Sequence, residues 1–262
     1  MSIATSFASV LPAEGPLWAL LLGGLGAIFG SFIAALVIRW PQGRSVLRGR
    51  SACDGCGRTL AAIELVPLLS ALVMRGRCRA CGAAIDPLHW RIEAAGLAIG
   101  AAAGALLPGA EAVAAAIFGW LLLALAALDA TEFWLPDALT VPLALLGVAA
   151  GLAGIAPDLQ ARLIGGAGGF ASLWLVARGY RLVRGREGLG GGDPKLFGAI
   201  GLWLGWQPLP AVLLLAAMIG LSVVLFRLAS GRAVAADDAL PFGTLLAIAA
   251  YPAALAMLRL GP

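Results

Sequence analysis

Three carboxylates in this chain stand at the edges of long apolar runs, where ionisable groups are costly and tend to mark function. Asp129 ends the run AIFGWLLLALAALD, Asp137 follows in LDATEFWLPDALTVP, and Asp193 stands after the glycines of GLGGGDPKL. Two carboxylates held close together cannot both ionise readily, so one keeps a proton while the other acts as a base. Such a pair can hydrolyse a peptide bond. The base activates water, and the acid polarises the scissile carbonyl and then protonates the leaving amine. The pair titrates as one coupled unit. Gly190, Gly191 and Gly192 carry no side chains, so an extended peptide can approach the backbone beside Asp193. Pro194 suits the first helical position, and Lys195, the chain's only lysine, comes next as a supporting residue. Helix capping alone would account for Asp193 and Asp137, but not for Asp129, which ends its run.

A second constellation is made of sulfur. All four cysteines lie in one stretch, as Cys53-Asp-Gly-Cys56 and Cys78-Arg-Ala-Cys81. Two CxxC pairs on tight knuckles suit a tetrahedral zinc ion, and four protein ligands leave no open position, so such a metal is structural. Gly57 and Gly82 follow the pairs, where a positive φ is expected. His89, the only histidine, lies just past the second knuckle. A Ser-His-Asp hydrolase would need that one histidine to stand beside both of its partners, and nothing in the spacing arranges this.

The elements that must position these groups are membrane helices. The chain has 262 residues, 61% hydrophobic and 12% charged, with a mean hydropathy of +0.96. No soluble core of this size needs so much apolar sequence. The fold class expected is all-α and integral to the membrane, with about eight spans over residues 15–38, 92–108, 111–128, 138–156, 162–178, 194–206, 209–227 and 240–260. The sixth is short and is expected to be tilted, extended by the glycine stretch or partly re-entrant. Gly165 and Gly169 form a small-xxx-small face for close helix contact.

Arginine is concentrated between spans 1 and 2 (Arg39, Arg44, Arg48, Arg50, Arg58, Arg75, Arg77, Arg79, Arg91), and between spans 5 and 6 (Arg178, Arg181, Arg184, Arg186, with Lys195). Arg227 and Arg232 lie between spans 7 and 8, whereas only Arg162 and Arg259 fall on the opposite side. The positive-inside rule makes the basic loops cytoplasmic. Asp129 and Asp193 then share one depth at that face, and the cysteine loop lies in a reducing compartment that disfavours disulfides. The first apolar run has no basic segment before it and no small-residue cleavage site after it, so it reads as a retained span. The basic loops lack interleaved aromatics, so no nucleic-acid partner is expected. The organisation is one polytopic domain, 1–262, with residues 40–91 inserted as a cytoplasmic tetracysteine zinc loop between the first two spans.

Together these residues resemble a known family. Gly190-Gly191-Gly192-Asp193 followed by Pro-Lys-Leu matches a G-x-G-D motif, and Asp129 with Leu135-Pro136-Asp137 resembles the segment of type IV prepilin peptidases in which an Asp precedes [LI]-P-[DN]. Gly30-Ser31-Phe32 with Arg39-Trp40-Pro41, the CxxC pairs with Arg75-Gly76-Arg77 before the second, and Pro241-Phe242-Gly243, similar to the family's P-F-G-P, extend the likeness over nearly the whole chain.

The resemblance implies an integral aspartic endopeptidase of the bacterial inner membrane. It would remove the basic leader of type IV prepilins or type II secretion pseudopilins at the cytoplasmic face, with Asp129 and Asp193 catalytic and Asp137 supporting. It also implies N-methylation of the new amino terminus with S-adenosylmethionine. The partners implied are prepilin or pseudopilin substrates and the lipid bilayer, and the motifs are silent on oligomeric state. Three segments depart from the family pattern. Ala34 replaces an Asn, Glu64-Leu65-Val66-Pro67 lacks the Asn of E-N-I-P, and His89-Trp90-Arg91-Ile92-Glu93 stands for R-Y-P-L-V-E. These bear on methyl transfer and substrate choice more than on cleavage. Glu132, Asp137 and Glu187, near the aspartates in sequence, are candidates for drawing a basic leader through basic loops.

Two other classes would use some of the same features. A proton-coupled transporter places its carboxylates near mid-membrane in repeat-related positions, whereas these crowd one face. A non-catalytic zinc-loop assembly factor has no need of two aspartates at matching depth.

Overall fold

The structure, a computed structural model, describes residues 15–46, 51–231 and 239–260. Arg48, Arg50 and Arg232 of the expected basic loops lie outside the described residues. Eight long helices carry the described chain: α1 (Gly15–Arg39), α2 (Leu88–Leu106), α3 (Gly109–Glu132), α4 (Asp137–Leu152), α5 (Leu159–Arg184), α6 (Asp193–Leu204), α7 (Leu209–Ala229) and α8 (Phe242–Leu260). Between α1 and α2 come only short helical turns, Ala62–Leu65 and Leu69–Val73, and two isolated antiparallel bridges. There is no β-strand among the described residues, as the all-α reading requires.

By length and composition, α1, α3, α7 and α8 can each cross a membrane, and α4 is apolar but shorter. Leu20, Leu214, Leu221 and Phe226 stand exposed on these helices, which water would penalise and lipid chains would not. The protein is an all-helical membrane protein. The helix α6 differs most from an ordinary span. Its 12 residues cover about 18 Å, short of a hydrocarbon core of about 30 Å. Ten of those residues, from Asp193 to Leu204, are buried in protein.

Two helices run further than their apolar stretches. The helix α3 continues to Glu132, past the expected end at 128, so Asp129 sits inside the helix. The helix α5 continues to Arg184, so Arg178, Arg181 and Arg184 are helical and not in a loop. Hydropathy marks where lipid ends, while the backbone ladder runs on until a residue stops it. In α5 that residue is Gly185, at φ 68°, whose N–H bonds the Arg181 carbonyl at 2.9 Å.

The described residues form two compact units, one up to Ala124 and one from Leu125 onward. In the first, α1 and α2 meet backbone to backbone. A Cβ added to Gly26 would lie 2.0 Å from the Gly96 carbonyl oxygen, and one on Gly100 would lie 2.0 Å from that of Leu22. In the second, α5 and α6 meet in the same way. A Cβ on Gly201 would fall 2.2 Å from the Gly165 oxygen, and one on Gly169 would fall 2.9 Å from the Phe197 oxygen. The expected contact face of Gly165 and Gly169 is thus the α5 side of this seam.

Arg162 corrects the charge reading. It does not stand at an aqueous surface but is the largest fully buried side chain, 1% exposed. Its guanidinium donates to five carbonyls: Pro157 (2.9 Å), Gly147 (3.0 Å), Leu202 (2.9 Å), Ile155 (3.1 Å) and Ala156 (2.8 Å). Charge counting cannot distinguish such a staple from a topogenic arginine, because both are single cations beside an apolar run.

Candidate active site and metal centre

In the second unit, Asp129 and Asp193 are both buried, at 5% and 6% exposure. Neither expected capping role is present. Asp193 is the first residue of α6 with Gly192 as the N-cap, Asp137 is the first residue of α4, and neither helix start has a side-chain capping bond. Leu135 brings the aspartates into one neighbourhood. A Cβ on Gly192, next to Asp193, would meet Leu135 Cβ at 2.7 Å. One on Gly243 would lie 2.8 Å from the other end of Leu135 and 3.1 Å from Asp129 Oδ2. Asp193 lies within electrostatic reach of Asp129. Gly190 borders Asp193 directly, since a Cβ there would stand 3.0 Å from Oδ2. Of the three glycines, Gly190 is thus the close-approach position at the carboxylate, Gly192 packs on Leu135 and Gly191 meets nothing, and Gly190 and Gly191 are exposed.

The motif's other acid is placed differently. Asp137 is exposed and accepts from Lys195 Nζ with both carboxylate oxygens. Glu187 pairs with Arg181. Of the three acids expected to draw a basic leader, two are thus already paired with cations, and Glu132 is exposed at the end of α3.

One residue at this site was not singled out from the sequence. Thr244, in the first turn of α8, donates its backbone N–H to Asp129 Oδ2 at 2.7 Å, with its hydroxyl oxygen 3.0 Å from the same atom and 2.9 Å from the Ala126 carbonyl oxygen. A signal was available. The resembling motif reads P-F-G-P, and this chain has Thr at the fourth position, where proline could donate no N–H.

The four cysteines converge in the first unit. Their sulfurs all lie within 4.8 Å of one another, none is in a disulfide, and Cys53 Sγ and Cys81 Sγ are 3.8 Å apart. Tetrahedral zinc with Zn–S bonds of about 2.3 Å sets sulfurs about 3.8 Å apart, so the cluster has the size of a metal site. The two knuckles are copies of each other. Cys53 N–H bonds the Arg58 carbonyl and Gly57 N–H that of Cys53, while Cys78 N–H bonds Ala83 and Gly82 N–H bonds Cys78. Gly57 and Gly82 have φ of 70° and 71°, as the turn demands. The Cys81 and Ala80 backbone amides hold the Cys78 thiol down to about 6. The Ala83 amide acts the same way on Cys81, but the Cys56 sulfur, burial and the other sulfurs outweigh it and push that thiol up to about 11. Crowded thiols of this kind shed their protons when a cation binds.

Two buried acids fasten the loop. Glu64 accepts from Arg58 at 2.6 Å and from the Ala61 N–H at 2.8 Å, and Glu93 accepts from the Leu68 N–H at 2.8 Å. Arg58 first, and then Ala61, hold the Glu64 carboxyl below its usual range. Beside them lies a cavity of about 170 Å³ whose lining includes Arg39, Asp54, Glu64, Asp86, His89 and Glu93.

Comparison with known proteins matches two stretches of the chain. Residues 116–225 match the Type IV leader peptidase family, and residues 25–106 match the Bacterial Peptidase A24 N-terminal domain. Relatives named prepilin leader peptidase/N-methyltransferase include that of Burkholderia pseudomallei, 44% identical over 76% of this chain and 64% of the relative. That of Aeromonas hydrophila is 40% identical over 79% and 71%, and that of Dickeya chrysanthemi 35% identical over 93% of each. The match thus spans a little under two thirds of the Burkholderia protein's length. No solved structure matches the chain. Two buried aspartates, one of them in a GxGD turn, four clustered cysteines and these relatives agree: the chain belongs to the type IV leader peptidase family of bacterial membrane proteins.

Proposed function

We propose that the chain is an aspartic endopeptidase that removes the basic leader from type IV prepilins or type II secretion pseudopilins, working at the cytoplasmic face of the bacterial inner membrane. The observation that carries this reading is the burial of Asp129 and Asp193 about one leucine, Leu135, with exposed glycine backbone alongside. One aspartate, ionised, takes a proton from water as the hydroxide attacks the scissile carbonyl carbon. The other gives its proton to the carbonyl oxygen. In collapse of the tetrahedral intermediate, the leaving nitrogen is protonated and the C–N bond breaks. Gly190 and Gly191 admit the extended backbone of the substrate, and Asp137 with Lys195 ties the start of α4 to that of α6 behind the site.

In the same reading all eight long helices belong to one polytopic peptidase domain, residues 1–262, and residues 40–91 form an inserted cytoplasmic loop. Zinc is held by Cys53, Cys56, Cys78 and Cys81 and fixes the loop's fold. A second activity, methyl transfer to the new amino terminus, belongs to the first unit. The lining of its cavity carries four acids, Asp54, Glu64, Asp86 and Glu93, against one arginine, Arg39, a balance that fits the cationic sulfonium of S-adenosylmethionine, which would supply the methyl group.

The test is direct. Protein purified in detergent is incubated with a prepilin-like peptide, and the products are weighed by mass spectrometry. A leader-sized fragment is expected from the wild type and none from Asp129→Asn or Asp193→Asn. An intact peptide with folded wild type would return the transporter and assembly-factor readings to consideration.

A further inference from the structure

We propose that Thr244 is the positioning residue of the aspartate pair, its hydroxyl reversing between donor and acceptor as Asp129 loses and gains its proton. The proposal rests on the reading of Asp129 and Asp193 as the catalytic pair.

The argument is an inventory of hydrogens. Thr244 Oγ1 lies 3.0 Å from Asp129 Oδ2 and 2.9 Å from the Ala126 carbonyl oxygen, yet a hydroxyl carries one proton. A carbonyl oxygen can only accept. When Asp129 is ionised, the Thr244 hydroxyl donates to Oδ2. When Asp129 is protonated on Oδ2, that proton is donated to Oγ1, and the hydroxyl turns its own hydrogen to Ala126. Both states satisfy the hydroxyl's two short contacts without moving a heavy atom. A carboxylate that serves both as base and as acid in one cycle is matched by a partner that can both donate and accept, which a backbone N–H cannot do.

The backbone does the rest. The Thr244 N–H reaches Oδ2 at 2.7 Å and anchors it in either state. Gly243 makes the approach feasible, because any Cβ there would sit 3.1 Å from Oδ2 and 2.8 Å from Leu135. The position is one where the family motif has proline, so the arrangement is a property of this chain's own sequence.

Steady-state kinetics with a prepilin-like peptide test it. Thr244→Val keeps shape and N–H but removes the hydroxyl; kcat should fall about tenfold, with KM changed less than about twofold. Thr244→Ser restores the hydroxyl and should return kcat to within about twofold of wild type. Wild-type kcat in Thr244→Val, or an equal loss in Thr244→Ser, overturns the proposal. If Thr244→Val does not accumulate, Thr244→Ala against Thr244→Ser decides, and equal kcat values overturn it. Asp129→Asn, run in parallel, separates the two levels: cleavage by that variant removes the catalytic pair itself, whereas an inactive Asp129→Asn beside a fully active Thr244→Val removes only the role of the hydroxyl.

Discussion

Lys195 Nζ lies 2.8 Å and 2.9 Å from the two carboxylate oxygens of Asp137, across 58 positions of sequence. The pair is exposed, so its Coulombic worth is small, but it accounts for the third acid of the motif. Asp137 has a partner, whereas Asp129 and Asp193 are buried without a cation among the described ion pairs.

Asp129→Asn and Asp193→Asn should therefore each lower cleavage by more than about a hundredfold, because an amide can be neither acid nor base. Asp137→Asn should cost about tenfold or less, by loosening the join between the starts of α4 and α6. Peptide turnover at matched amounts of membrane-inserted protein decides, and equal losses for all three would place Asp137 in the chemistry as well.

Metal analysis of the purified protein should give about one zinc per chain, and the Cys78→Ser, Cys81→Ser double variant should give none. Folded wild type without metal would reduce the knuckles to a thiol cluster.

Arg162→Gln should destabilise the second unit by about 3 kcal/mol or more. One amide cannot serve five carbonyls gathered in a buried site. Thermal unfolding in detergent, followed by circular dichroism, reads the loss. A midpoint unchanged from wild type would mean that water replaces the guanidinium.

Gly201→Val should force α5 and α6 apart, since even its Cβ would sit 2.2 Å from the Gly165 oxygen. Overpacking of this kind costs about 1–3 kcal/mol and, by shifting α6, should lower kcat through Asp193 at the other end of that helix. Normal turnover would show that the seam does not set the aspartate's position.

Glu64 gives a pH dependence with a defined sign. Its carboxyl is held below its ordinary value by Arg58, so the folded loop gains stability above that ordinary value and loses it as pH falls through the lowered folded one. Glu64→Gln should remove this contribution. Comparing the acid-unfolding curves of the metal-free wild type and the variant isolates it from metal loss, and superimposable curves would show that the pair carries none of the acid sensitivity.

The sequence by itself determined the class of the molecule and its chemical inventory. Apolar runs far longer than any strand could only be helices, and each expected span overlies a helix, four of them long and apolar enough to cross a membrane. The CxxC spacing and the glycines after it were enough for two knuckles, because that geometry is local. The same holds for the small-residue face of α5, where period alone puts Gly165 and Gly169 on one side. What lay beyond the sequence was the hydrogen bonding that joins one helix to another. Arg162 read as a surface cation, and only the fold shows five carbonyls from α4, the following turn and α6 converging on it. Thr244 carried one signal, its place where the resembling motif has proline, and that names no partner. It became part of the site only when the start of α8 came within 2.7 Å of Asp129, more than a hundred positions away. Propensity and hydropathy act over a turn or a span, whereas a hydrogen bond between helices depends on how their backbones pack, which is decided when the tertiary structure closes.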